Sequence, residues 1–167
     1  MKHVKSFPPI ERADARILIL GSMPGEASLR AGQYYAHPQN LFWRIMGELL
    51  GFDPALPYAR RTQALKSARI ALWDVLHSCR RKGSRDSAID DTTLVANDFA
   101  GFFPHHPQIA HVFFNGAKAE ACYRKHVRPF VEFEPAGYLR LPSTSPANAS
   151  IPYERKLEAW RAAAARI

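Results

Sequence analysis

The chain has 167 residues, 47% of them hydrophobic, with a formal net charge of +8 and an isoelectric point near 9.8. No apolar run approaches the roughly 18 residues that a membrane-spanning helix needs, and no signal-peptide segment begins the chain, so we expect one soluble, cytoplasmic domain over residues 1–167. The excess of positive charge favours a polyanionic partner.

The first predicted elements are a buried strand and an amphipathic helix. Residues 16–21 contain Ile17-Leu18-Ile19-Leu20, which is apolar on both faces, as a central strand of a parallel sheet requires. Apolar residues recur at helical spacing over residues 40–50, and Gly51 suits the position just after a helix. The loop between them is polar and carries two tyrosines.

The rest of the chain alternates between strand and helix patterns. The pattern predicts a polar helix over 57–67, a buried strand over 69–75 ending in a basic loop, a short helix over 97–103, a strand over 109–115, a helix over 117–126, a strand over 138–141 and a closing helix over 152–165. Such alternation implies a mostly parallel sheet covered by helices on both faces. We therefore expect an α/β fold, a three-layer α/β/α arrangement around a central, mostly parallel four-stranded sheet.

Three of these strands end in loops of polar and small residues. The loops are Gly21-Ser22-Met23-Pro24-Gly25, Asn115-Gly116-Ala117-Lys118 and residues 142–148. In a parallel sheet these ends lie at one edge, so a single cleft can use all three loops. The first turn is neither a Walker loop nor a dinucleotide fingerprint, and each loop alone is also typical of an ordinary turn.

The loop between the first strand and first helix combines flat aromatic surface with an amide. Tyr34 and Tyr35 could stack on a planar ring, and Asn40 offers both a donor and an acceptor. A planar heterocycle is therefore a natural ligand. Asn40 could equally cap the helix that follows it, and Phe42, Trp43 and Trp160 are expected in the core.

Cysteine and histidine usage points away from a metal centre. Cys79 and Cys122 are too few for a cluster held by four thiolates, and no histidine spacing is typical of a zinc site. We expect both thiols to be buried and reduced. His105 and His106, in a turn flanked by prolines, are expected to be exposed.

Cations are concentrated after the second strand, where Arg80-Arg81-Lys82-Gly83-Ser84-Arg85 contains four of them in six residues. A solvated surface accounts for this cluster alone, but with the other basic clusters it favours nucleic acid. Carboxylates are scarce near the predicted cleft, and neither an acid pair nor a Ser-His-Asp pattern is evident. These residues favour a site that binds, orients and stabilises a leaving group.

Three segments stand out together: Gly21–Gly25, Tyr35-Ala36-His37-Pro38-Gln39-Asn40-Leu41-Phe42-Trp43 and Pro142-Ser143-Thr144-Ser145-Pro146. In order and spacing they resemble the motifs of the uracil-DNA glycosylase superfamily. The second is similar to the HPxNxFW segment of the mismatch-specific enzymes, but Met23 replaces the asparagine that positions their attacking water. With residues 71–76, Cys79 and residues 83–84, 97–99 and 114–119, this departure resembles the hypoxanthine-DNA glycosylase branch.

The resemblance implies hydrolysis of the N-glycosidic bond of a deaminated base in damaged DNA, chiefly hypoxanthine in deoxyinosine, after base flipping. It implies Asn40 as the catalytic residue and Tyr35 as the ring that stacks on the flipped base. No metal, iron–sulfur cluster or organic cofactor is implied. The base pocket would comprise Gly21, Ser22, Met23, Pro24, Gly25, Tyr35, Phe42 and Asn115.

DNA contacts are expected in two segments. Arg80, Arg81, Lys82 and Arg85 would bind backbone phosphates, and Ser143, Thr144, Ser145 and Pro146 would enter the minor groove. The same scaffold could instead act on uracil, bind lesions without catalysis, or use free nucleosides. We expect a monofunctional enzyme, monomeric and associated with the nucleoid.

Overall fold

The computed structural model describes residues 1–167, which form two sheets and six α-helices. The strands are Lys2–Lys5 (β1), Ile17–Gly21 (β2), Ile70–Asp74 (β3), Leu76–Arg81 (β4), Ile89–Ala96 (β5), His111–Asn115 (β6) and Gly137–Leu141 (β7). The α-helices are Glu26–Ala31 (α1), Phe42–Leu50 (α2), Tyr58–Ser67 (α3), Phe99–Phe102 (α4), Ala117–His126 (α5) and Tyr153–Ala164 (α6). Short 3₁₀ turns span Asp86–Ala88, Phe103–His105, Arg128–Phe130 and Pro146–Asn148.

The central sheet is four-stranded and entirely parallel, with the order β3-β2-β6-β7. Leu20 of β2 lies between Trp73 of β3 and Phe114 of β6 in this register. Every residue of β2 is buried, since strands and helices cover it on all sides. The predicted fold class is therefore confirmed.

Side chains of β2 alternate between two separate cores. Ile17 and Ile19 face the core that contains the inner sides of α2, α3 and α6. Leu18 and Leu20 face the opposite core, with α4 and α5. Because successive strand residues point to opposite faces, one apolar run of four residues anchors both helical layers.

A second, antiparallel sheet of order β1-β4-β5 was not predicted. The sequence interpretation placed a basic loop after β3, but residues 76–81 form β4, which pairs with β1 through Val4 and Cys79. β4 and β5 are polar for strands, so their hydrophobic pattern is weak. The connection between them folds back over the carboxyl end of the central sheet, where Ser84 Oγ accepts a 2.8 Å hydrogen bond from the Glu26 backbone N–H.

Two smaller expectations have different outcomes. Cys79 and Cys122 are free and buried, as predicted. His106, which was predicted to be exposed, is buried: its ring stacks on Phe102 at 4.0 Å between centroids, and its Nδ1 lies 2.8 Å from the Phe102 carbonyl oxygen.

None of the helices combines the length and apolar character that a membrane crossing demands.

Candidate active site

A cleft of about 1350 Å³ opens at the carboxyl edge of the central sheet. The last residue of each parallel strand lines it, namely Gly21, Asp74, Asn115 and Leu141. The three loops predicted to meet at one edge do meet there, joined by the Tyr35–Asn40 loop and the β4–β5 connection. Open α/β sheets place ligands at this edge, so the cleft is the candidate active site.

Asn40 stands half-buried at the wall of this cleft, just before α2. Its Oδ1 accepts a 3.0 Å hydrogen bond from the backbone N–H of Phe42. Because that donor requires an acceptor, the side-chain amide has one orientation, and its Nδ2 group has no protein partner. Asn40, one residue before the N-cap Leu41, therefore satisfies the first backbone N–H of α2 with its oxygen while retaining two N–H donors for a ligand.

Tyr35 lines the cleft with a ring that is supported from behind. Its ring stacks on Phe42 with centroids 4.3 Å apart and an interplanar angle of 27°. Phe42 is fully buried, which agrees with its expected place in the core and not with a place in the base pocket, and its ring backs that of Tyr35. Tyr34 is also buried, with its hydroxyl 2.9 Å from the Pro8 carbonyl oxygen, and cannot stack on a ligand.

The turn Gly21–Gly25 contributes close backbone approach rather than reactive groups. A Cβ at Gly21 would lie 2.5 Å from Asp74 Oδ1 and 2.8 Å from the Tyr35 hydroxyl oxygen. Only glycine lets both groups approach the end of β2 so closely. Met23 is buried beside them and supplies no polar atom to the cleft.

Two carboxylates in the cleft were missed by the sequence interpretation, which found acids scarce there. Asp74, only 3% exposed, ends β3, and Asp86 begins the 3₁₀ turn of the β4–β5 connection. The Ser22 hydroxyl donates a 2.5 Å hydrogen bond to Asp86 Oδ1. Asp74 could have been found from its strand-end position, but no sequence signal brings Asp86 to Ser22.

Burial governs the ionisation of both acids. Desolvation, reinforced by the nearby Asp86 charge and opposed by Arg81, raises the pKa of Asp74 to about 7. Desolvation also raises the pKa of Asp86, while the Ser22 hydrogen bond, Arg81 and Lys118 favour its charged form. Desolvation, followed by the Asp74 charge, raises the pKa of Tyr35, so its hydroxyl stays protonated.

Asn115 and Thr144 are engaged with each other. Asn115 Nδ2 donates to Thr144 Oγ1 at 3.0 Å, and the Thr144 backbone N–H donates to Asn115 Oδ1 at 3.0 Å. Thr144 is 0% exposed, so the prediction that it contacts DNA is wrong. Asn115 borders the cleft, but its amide serves to hold the 143–146 loop against β6.

The basic cluster divides into buried and exposed members. Arg81 is 1% exposed and donates to the carbonyl oxygens of Pro24 and Gly83, so its predicted contact with DNA is wrong. Arg80, Lys82 and Arg85 are exposed, and only Arg85 reaches the cleft.

Further polar and charged groups lie along the cleft rim. Arg30 and Arg140 are exposed cations there that the sequence interpretation had not singled out. Ser143, Ser145 and Pro146 are half-buried along the same rim. Arg30, Arg85 and Arg140 thus bring positive charge to the cleft from α1, the β4–β5 connection and β7.

Comparisons with known proteins agree with this geometry. Residues 8–164 match the sequence model of the Uracil DNA glycosylase superfamily. Among curated relatives, a hypoxanthine DNA glycosylase from Methanosarcina acetivorans is 38% identical over 165 residues, which is 95% of this chain and 96% of the relative. One of the same name from Methanosarcina barkeri is 41% identical over 116 residues, which is 69% of this chain and 72% of the relative.

A solved structure extends the likeness to three dimensions. The solution NMR structure of a candidate uracil DNA glycosylase from Methanosarcina acetivorans superposes with a TM-score of 0.79 at 37% identity, over 98% of this chain and 97% of that one. Both the sequence and the fold thus match over nearly the full length. The chain belongs to the uracil DNA glycosylase superfamily.

Proposed function

We propose that this protein is a monofunctional DNA glycosylase that removes hypoxanthine from deoxyinosine in DNA and leaves an abasic site. The observation that carries the proposal is the anchored amide of Asn40, whose Nδ2 donors remain free at the wall of the cleft. The names of two relatives, both called hypoxanthine DNA glycosylase, support the choice of base.

The free donors of Asn40 suit the edge of hypoxanthine. Hypoxanthine presents O6 and N7 as two neighbouring acceptors, whereas adenine carries an amino donor at the same position. An N–H donor therefore favours the deaminated base over adenine. Guanine shares the O6/N7 edge, but it is stably paired with cytosine and costs more to extrude than a mispaired base.

The same amide would assist bond cleavage. When the C1′–N9 bond breaks, its electron pair passes to the purine, and a positioned N–H donor stabilises the charge that develops on the base. Tyr35, backed by Phe42, would hold the flipped ring by stacking. Water then captures the oxocarbenium-like sugar at C1′.

Exposed cations around the cleft would bind the phosphate backbone without reading sequence. We assign this role first to Arg30, Arg85 and Arg140, which lie at the rim of the cleft. Arg80 and Lys82 precede Arg85 in the chain and would contact phosphates farther along the duplex. Ser143, Ser145 and Pro146 would approach the minor groove. The substrate is double- or single-stranded DNA, and we further propose a monomer that works on the nucleoid in the cytoplasm.

The test is alkaline strand cleavage of labelled duplexes that each carry one deoxyinosine, deoxyuridine or deoxyxanthosine. We expect cleavage at deoxyinosine only after alkali, and a loss of at least 100-fold in single-turnover rate for Asn40→Ala. The matched control is Gln39→Ala, which removes the exposed side-chain amide of the residue just before Asn40 and should retain the parent rate.

Other outcomes select other functions. Cleavage chiefly at deoxyuridine would keep the family and change the base. Tight binding with no cleavage of any duplex would make the protein a lesion-binding module. Turnover of free deoxyinosine at a rate similar to that of the duplex would indicate a nucleoside-processing enzyme.

A further inference from the structure

The proposed reaction lacks a group that binds and activates the attacking water. Met23 occupies the turn beside the cleft but has no polar atom to hold water. Asn40 has its oxygen engaged with the Phe42 backbone and offers only donors. The acceptor that a nucleophilic water needs must therefore come from elsewhere in the cleft.

Asp86 is placed to supply this acceptor. It lies in the β4–β5 connection, and Ser22, the residue before Met23, fixes its Oδ1 by the 2.5 Å hydrogen bond. Its Oδ2 has no protein partner, and the side chain is only partly buried at the cleft. One oxygen is thus held in place while the other stays free to accept from water.

Three residues near Asp86 carry buried polar atoms that lack partners. Asp74 Oδ2, the Tyr35 hydroxyl oxygen and Arg81 Nη1 are all buried without a hydrogen bond. The Asp74 carboxylate and the Tyr35 hydroxyl both lie against Gly21, because a Cβ at this position would be within 2.8 Å of an oxygen of each. Buried polar groups are normally satisfied by protein or by ordered water, so this cluster points to a bound polar ligand.

We propose that Asp86, fixed by Ser22, binds and deprotonates the water that attacks C1′. This inference rests on the proposed glycosylase function. Asp86 is preferred as the base because it reaches the cleft surface, whereas Asp74 is almost fully enclosed.

The step balances with the groups named. The C1′–N9 bond breaks and its electron pair leaves with the purine, so the sugar becomes oxocarbenium-like. The water oxygen forms the new C1′–O bond, and its proton passes to Asp86, from which it reaches the departing purine or solvent. The negative carboxylate also stabilises the positive charge on the sugar while that charge develops.

The charged form of Asp86 depends on its surroundings. Arg81 from β4, Lys118 from α5 and the Ser22 hydroxyl from the 21–25 turn favour the carboxylate. Desolvation opposes it, and the neighbouring Asp74 interacts unfavourably with it when both are ionised. A rate that requires ionised Asp86 should therefore show an acid limb above the usual range of an aspartate.

The experiment measures single-turnover cleavage of deoxyinosine duplex from pH 5 to 9 for the parent, Asp86→Asn, Ser22→Ala and Glu26→Gln. We expect Asp86→Asn to lose at least 100-fold in rate and its acid limb, while binding of the duplex stays equal or tightens. Glu26→Gln removes an exposed carboxylate near the same turn, and should stay within about threefold of the parent, which controls for the change in charge.

Ser22→Ala keeps the carboxylate but removes the donor that favours its charged form. Its acid limb should move to higher pH, a shift that a merely structural role would not produce. This variant decides the question if Asp86→Asn fails to fold, as judged by circular dichroism.

An active parent with an Asp86→Asn variant of unchanged rate and unchanged acid limb would overturn this inference alone. An unmoved acid limb in Ser22→Ala would do the same. A parent that cleaves no duplex at all would overturn the proposed function, and the inference with it.

Discussion

Asn115 at the end of β6 and Thr144 in the loop after β7 exchange two hydrogen bonds of 3.0 Å each, and both residues are buried. The Thr144 carbonyl oxygen in turn accepts from the backbone N–H of Leu41 at 3.0 Å. One threonine therefore links the end of a central strand to the residue that follows Asn40. The position of the Asn40 amide depends on this link.

Replacing Thr144 with valine tests the link. Valine keeps the shape but leaves Asn115 Nδ2 buried without a partner, which costs about 1–3 kcal/mol. We expect the free energy of unfolding in urea to fall by that amount, with a slower excision rate. Thr144→Ser keeps the hydroxyl and should recover most of both, and a valine variant as stable as the parent would contradict the assignment.

Arg81 is expected to stabilise the fold rather than bind DNA. Its guanidinium joins Pro24 to Gly83 and faces Asp74 and Asp86, so Arg81→Met leaves two carbonyls and two acids without their cation. The expected loss is roughly 2–5 kcal/mol in unfolding free energy.

The neighbouring Arg80 provides the control for that prediction. Arg80 is exposed, so Arg80→Met should change the unfolding free energy by no more than about 0.5 kcal/mol. Equal losses of stability in the two variants would contradict the structural role of Arg81.

Hydrophobic patterns predicted the central layer of the fold because burial there is continuous. The run Ile17-Leu18-Ile19-Leu20 and the helical spacing of α2 reflect elements that pack on apolar neighbours. β4 and β5 were missed because more than half of their residues are polar, and α1 because it has only six residues. Patterns of this kind predict elements with a continuous apolar face and fail for short or largely polar ones, even where these pack on a core, as Leu76, Cys79 and Ile89 do.

The site was predictable to the extent that it follows strand ends. Asn115 and the 21–25 turn lie where the parallel topology requires, so their meeting follows from the element order. The approach of Asp86 to Ser22 joins residues 64 positions apart through an unpredicted sheet. The burial of Arg81 was equally hidden, because charge in a sequence indicates solvent unless an internal partner is known.

Arg85 at the cleft rim should contribute one phosphate contact. Affinity for DNA falls as salt rises, and each phosphate neutralised by a cation makes the slope of log affinity against log salt steeper by about 0.9, because counterions are released. Arg85→Gln should therefore make that slope shallower by about one, as measured by fluorescence anisotropy from 50 to 300 mM salt.

Arg16 is the matched control for the salt dependence. It is exposed at the start of β2, at the opposite edge of the sheet from the cleft, so Arg16→Gln should leave the slope unchanged. A slope that falls equally in both variants would indicate a general charge effect rather than a contact.

Asp74 should make the protein less stable as pH rises from about 4 to 7. Its pKa is near 3.8 in the unfolded chain and about 7 in the fold, so the folded state binds one proton more tightly across this window. The contribution of Asp74 to the unfolding free energy is therefore greatest below its pKa in the unfolded chain. It disappears as the pH rises through its pKa in the folded protein.

Asp74→Asn removes this titration. We expect it to flatten the pH dependence and to raise the unfolding free energy at pH 8 by on the order of 1–3 kcal/mol. Urea unfolding at pH 5 and pH 8 measures both effects. A variant with the same slope between these pH values as the parent would show that Asp74 is ionised throughout.

Tyr35 should bind the flipped base through its ring and not its hydroxyl. Stacking of one base on an aromatic side chain is worth about 1–3 kcal/mol, so Tyr35→Leu should weaken binding about tenfold or more. The measurement is the Kd for a duplex that carries 2′-fluoro-2′-deoxyinosine, which resists cleavage. Tyr35→Phe keeps the ring that stacks on Phe42 and should bind like the parent, whereas a phenylalanine variant as weak as the leucine one would assign recognition to the hydroxyl.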